Sequence, residues 1–215
     1  YARLQKYHET QLTARQLGFP QPQWTVVEED QDAKGRTIRR RVDRMVATRE
    51  VSLLATEADA RRLELPMLAG GDPRPFEVVG IPLAEPGYHV VEIESLRLGE
   101  ALLDKRAPMY VRTGALVTNL GVHFKHGREN SVVWVTTLDR GKPVEAADVV
   151  VHDCNGRTLW SGRSDAKGLA VVARPLEDEP TSCVADSGYF VTARLASTAD
   201  VAFVFSSWQK GIEPW

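Results

Sequence analysis

Short runs in which apolar and polar residues alternate recur along most of the chain, separated by turn-forming residues. Such alternation predicts strands, because successive side chains on a strand point to opposite faces. In the first half the runs are Trp24–Glu28, Thr37–Val42, Met45–Leu54, Phe76–Ile81 and Tyr88–Leu98. In the second half they are Tyr110–Asn119, Gly121–His126, Ser131–Asp139, Tyr189–Ala196 and Val201–Trp208. The polar opening contains LQKYHETQLTARQLG, a short helical stretch that Gly18 and Pro20 would end. Ala55–Glu64 (ATEADARRLE) and Gly70–Pro75 (GGDPRP) read as connections.

The most closely punctuated segment is HDCNGRTLWSGRSDAKGLAVV, His152–Val172. Asn155-Gly156 is expected to form a type I′ hairpin turn, and Asp165–Gly168 a slightly longer hairpin loop with glycine left-handed. Three strands in succession follow from this: Asp148–Asp153, Arg157–Gly162 and Leu169–Arg174. Strands spaced roughly 8 to 12 residues apart, with turns between them, mark sandwiches and small barrels. Charge and proline break the pattern at Asp104–Pro108. The reading is all-β: two tandem immunoglobulin/fibronectin-like antiparallel β-sandwiches, residues 1–107 and 108–215.

Charge changes little. The 27 basic and 29 acidic residues of the 215-residue chain nearly cancel, so no overall field favours nucleic acid or an anionic membrane. Arg36–Arg44 (RTIRRRVDR) holds five arginines, and its alternation suits the solvated face of a strand better than a phosphate-binding patch. No apolar run approaches the ~18 residues of a membrane span, and no charged-then-apolar leader opens the chain. The abrupt start YARLQKYHE and the stop at GIEPW suggest a soluble piece of a longer protein.

Candidate chemistry is sparse. Cys154 and Cys183, 29 residues apart, each sit where a strand meets a turn. They are expected to form a disulfide, which would place the protein outside the reducing cytosol; two buried free thiols are the alternative. Two thiols alone do not make a structural zinc site, and His152 beside Cys154 lacks the fixed geometry an activated nucleophile needs. His123 and His126 (HFKH) have a metal-like spacing, yet on a strand they point to opposite faces, and His89 reads as a strand side chain. No nucleophile elbow or phosphate-binding glycine loop is present. The expectation is therefore no catalytic residue, no cofactor and no metal. Trp134 and Trp160 are assigned to core packing, while Trp208 and Trp215, flanking GIEP, are assigned to interdomain packing.

VHFKHGRENSVVWVTTLDRGKPVEAADV (Val122–Val149) and SSWQKGIEPW (Ser206–Trp215) resemble the macroglobulin-like domains of bacterial alpha-2-macroglobulins. FEVVGIPLAEPGYHVVEIESLRLGEALL (Phe76–Leu103) resembles the segment joining two such domains, so the resemblance runs over residues 76–215. It implies a periplasmic protease inhibitor, with a possible lipid anchor on the inner membrane, that traps proteases after they cut a bait segment. In many members an internal thioester then captures the protease. The thioester cysteine is followed closely by Glu-Gln, and neither Cys154 (CNGR) nor Cys183 (CVAD) is. The segment would supply frame domains upstream of the bait, numbered as the fifth and sixth, with neighbouring domains as partners and proteases as targets of the parent. The alternative is an extracellular or periplasmic immunoglobulin-like binding or adhesion module.

Overall fold

The structure is a computed structural model that describes residues 6–65, 78–178 and 188–209. The expected all-β antiparallel character holds: the described residues are mostly strands in antiparallel sheets, with few helices. The chain divides into two compact units, one comprising Ile81–His89 and Ala115–Trp215 and the other Arg3–Gly80 and Val90–Gly114.

Among the described residues of the first unit, seven strands form two sheets. β7 (Leu120–Lys125), β8 (Ser131–Thr137) and β11 (Leu169–Val172) lie in the order β11-β8-β7. β9 (Asp148–His152), β10 (Thr158–Arg163), β12 (Phe190–Leu195) and β13 (Asp200–Phe205) lie in the order β10-β9-β12-β13. Every pairing is antiparallel. Alternate residues of both sheets meet in one core, with Phe124, Val133, Val135, Ala170 and Val172 from one and Val149, Val151, Val191, Ala193 and Val204 from the other. Burying a valine from water stabilises by roughly 1.5–3 kcal/mol, so this stack is the main source of the unit's stability. The buried Asp200 carboxylate is bonded, accepting from Thr118 Oγ1 at 2.6 Å and from the Asn119 amide at 2.9 Å.

The local turns differ from expectation. Asp153 N donates to Arg157 O, Gly156 N donates to Asp153 O, and only Gly156 has positive φ, +79°. This is a type I turn closed by a left-handed glycine; a type I′ turn needs positive φ at Asn155 too. The carboxylate selects it, because Asp153 Oδ1 accepts from the amides of Asn155 and Arg157, both at 2.9 Å. Asp165-Ala-Lys-Gly168-Leu169 has the same bonds, and so does Asp32-Ala-Lys-Gly35-Arg36 in the other unit. Asp-x-x-Gly is thus one turn used three times, with an Asx hydrogen-bond pair at each aspartate.

The second of these turns does not make a hairpin. β10 belongs to one sheet and β11 to the other, so Asp165–Leu169 crosses between sheets. Just before it, Ser164 Oγ donates to Val144 O and accepts from Ala147 N, ending the β9–β10 ladder inside the core.

In the second unit, the described residues form two-stranded ladders. β1 (Gln11–Thr13) pairs with β4 (Met45–Ala47), and β2 (Thr25–Gln31) with β3 (Thr37–Asp43). β5 (Gly87–Ser95) and β6 (Met109–Val117), of which residues 90–95 and 109–114 lie in this unit, form a third two-stranded sheet. The expected opening helix gives way at Gln11–Thr13 to β1, because Leu12 joins the core of Tyr7 and Leu53. The strand expected over Met45–Leu54 stops at Ala47, where Thr48–Glu50 turns into a 3₁₀ helix. The strand expected to reach Leu98 stops at Ser95, whose hydroxyl accepts from Leu98 N and caps α1 (Leu96–Leu102). Of the run expected over Phe76–Ile81, residues 78–81 have no regular structure and the rest lies outside the described residues, as does GGDPRP. Among the described residues no helix is long and apolar enough to cross a membrane.

Candidate functional site

Trp208 sits on the outer face of the four-stranded sheet, and the register explains what surrounds it. Phe190 lies opposite Phe205 on β13 and opposite His152 on β9, while Phe203 faces Thr192. Because Val191, Ala193, Ala202 and Val204 point into the core, these aromatic neighbours must point outward. The Phe190 ring lies 5.2 Å from Phe203 and 5.0 Å from Phe205. After β13 the chain makes a 3₁₀ turn, Ser206–Gln209, that folds Trp208 back over the sheet, 5.0 Å from Phe205 and 5.9 Å from Phe203. Tyr88 meets Phe203 edge-on at 5.8 Å. Phe190 and Phe205 are buried beneath this layer, whereas Trp208 is 62% exposed.

His152 and Asp153 mark the rim. Burial against Phe190 lowers the His152 pKa, opposed by a hydrogen bond at Gly156 and the nearby Asp153 charge. For Asp153 burial alone would raise the pKa, but the Arg157 amide, the Arg157 guanidinium and the Asn155 amide outweigh it and hold the carboxyl below its ordinary value. Both effects follow from packing and hydrogen bonding around the turn.

Cys154 is buried in the turn after β9. Cys183 and Trp215 lie outside the described residues. The His123 ring lies tilted 5.5 Å from Trp134, and His126 lies 4.9 Å from the Tyr189 ring, so each histidine has its own aromatic partner. His89 Nε2 bonds the Glu85 carbonyl at 2.8 Å. Among the described residues no group of three or more His, Cys, Asp or Glu is placed to hold a metal ion.

Two tryptophans assigned to the core separate. Trp160 packs against it beside a β-bulge that also turns Leu159 inward. Trp134 is 42% exposed, since Val133 and Val135 on either side take the inward positions; its indole N–H donates to Lys167 O at 3.1 Å.

Residues 117–215 match the family model described as the bacterial alpha-2-macroglobulin MG3 domain. No curated protein matches. Two crystal structures of native alpha-2-macroglobulin from Escherichia coli are similar, one spanning domains MG0-NIE-MG1 and the other NIE-MG1. Each is 16% identical with a TM-score of 0.35, over 44% of this chain. The matched part is 27% of the first structure's chain and 40% of the second's, so this chain corresponds to less than half of either. For residues 117–215 the match is to MG3 and not to the sixth position expected there, an expectation that rested on phrases shared among the family's repeated domains. Over residues 117–215, somewhat less than half of its length, the chain is similar to the bacterial alpha-2-macroglobulin MG3 domain family.

Proposed function

We propose that this chain is a structural, non-catalytic frame piece of a bacterial alpha-2-macroglobulin, a periplasmic broad-spectrum inhibitor that traps proteases after bait cleavage. On this reading its partners are the neighbouring domains of the longer protein, and proteases are targets of the whole rather than of this segment. Trp208, and with it Trp215, packs against an adjoining domain. The observation that carries the reading is the aromatic outer face ending in a 62% exposed tryptophan, on a sandwich matched by the MG3 family. Large exposed aromatics on an apolar shelf mark surfaces that another body covers.

A disulfide between Cys154 and Cys183 belongs to the same proposal. It is supported by the burial of Cys154 and by the absence of a free cysteine among the described residues. Oxidative footprinting read by peptide mass spectrometry tests the docking role. Trp208 should be oxidised in the isolated chain and protected in the longer protein. Equal oxidation in both would contradict it.

A further inference from the structure

The β2–β3 ribbon is exposed on both faces, and its register leaves one arginine without a counterpart. Glu29 lies opposite Arg39 and forms an ion pair with it at 2.9 Å; Glu28 lies opposite Arg40. The next arginine, Arg41, lies opposite Val27, which is 58% exposed. No ion pair joins Arg41 or Arg15 to a carboxylate of the described residues. Val27 and Arg41 share the same face of the ribbon, and there they border an open cleft of about 620 Å³.

The opposite wall of the cleft is built. Ala14 N donates to Arg44 O and Arg44 N to Trp24 O, fastening the segment between them to the foot of the ribbon. The Trp24 indole N–H donates to Phe19 O at 2.6 Å, which fixes the ring. The Arg15 guanidinium lies over that ring, 4.6 Å from its centre. Gln21 and Pro22 complete the wall, and no acidic side chain lines the cleft. The acidic residues next along this face are Asp43, opposite Thr25, and Glu29, which is paired with Arg39.

We propose that this cleft binds an extended acidic segment of a separate polypeptide. Its carboxylate would be held between the Arg15 and Arg41 guanidiniums, and an adjacent apolar side chain would lie on Trp24, Pro22 and Val27. Charge complementarity selects the acidic group, since guanidinium–carboxylate hydrogen bonds are the strong ones available here. The apolar lining and the volume select a peptide over a lone anion, because a small ion would fill a minor fraction of the space and leave Val27 in water. An unpaired cationic pair beside a fixed aromatic ring is also how a surface combines charge with desolvated contact area.

The test is calorimetric titration of the full chain with a capped peptide, Gly-Leu-Glu-Glu-Leu-Gly, beside its Gln-Gln counterpart and inorganic phosphate. Saturable binding of the acidic peptide, weakened by salt and by about tenfold in either Arg15→Gln or Arg41→Gln, is expected. Arg40→Gln, on the opposite face, should leave it unchanged, and circular dichroism should show all three variants folded. Equal binding of the Gln-Gln peptide, binding of phosphate as tight as that of the peptide, indifference to both cleft variants, or no saturable binding would each overturn the proposal.

Discussion

Arg112 Nη1 donates to Glu92 Oε2 at 2.8 Å, and both side chains are buried, 7% and 6% exposed. The pair is embedded in hydrogen bonds. Arg112 also donates to the carbonyls of Val51 and Thr48, and Glu92 accepts from Ser52 Oγ and Leu53 N. β5 and β6 are thereby tied to the Thr48–Leu53 segment, through charges that would be costly to bury alone. Removing one partner strands the other, at a cost of about 3–5 kcal/mol. Arg112→Met and Glu92→Met should each lower the urea midpoint strongly. The double variant should lose less than the sum, and additive losses would mean that the two charges are not coupled.

The repeated Asp-x-x-Gly turn separates backbone strain from crowding. Gly35 and Gly168 share a φ of +74°. A Cβ added at Gly35 would meet nothing within 4 Å, whereas at Gly168 it would come within 2.4 Å of Val135 O. Gly35→Ala should therefore cost about 1–2 kcal/mol, the usual left-handed penalty. Gly168→Ala should cost clearly more, since the β8 backbone must shift. Equal losses in thermal unfolding would show that the crossing turn yields freely.

The strand pattern was legible where alternation was strict. Ser131–Thr137 carries Val133 and Val135 inward, and the same alternation should have placed Trp134 outward despite its bulk. The crossing of β11 was hidden because a hairpin and a sheet-to-sheet connection use the same turn residues. The Glu92–Arg112 pair left no trace, since its members stand 20 residues apart and only β5–β6 pairing joins them. The aromatic face around Trp208 needed register: Phe190, Phe203 and Phe205 become one surface only when β12 and β13 are paired.

Acid should loosen that aromatic face. Burial depresses the folded-state pKa of His152 below its ordinary 6.5, so the unfolded chain binds the proton more readily. The resulting stability is fully present above that ordinary value and is lost as pH falls through the depressed folded value. His152→Gln should flatten this part of the stability profile in denaturant titrations. An unchanged slope would assign the pH dependence to other groups.

Closing the 29-residue interval between Cys154 and Cys183 by a disulfide should stabilise the sandwich by roughly 3–4 kcal/mol in the chain-entropy estimate. Mass spectrometry of oxidatively purified protein should show no free thiol, and reductant should lower the melting temperature. Two alkylatable thiols in the native protein would refute the pairing.

The central claim is that the chain is frame and does not inhibit or catalyse by itself. Sandwich strands resist cleavage because a protease needs locally unfolded backbone, so nicking should concentrate in the exposed connections. The most direct measurement incubates the chain at stoichiometric ratio with a broad-specificity protease and follows a small chromogenic substrate beside a large protein substrate. A physical cage spares the small substrate and blocks the large one. The frame account predicts unchanged activity on both; selective loss of activity on the large substrate would contradict it.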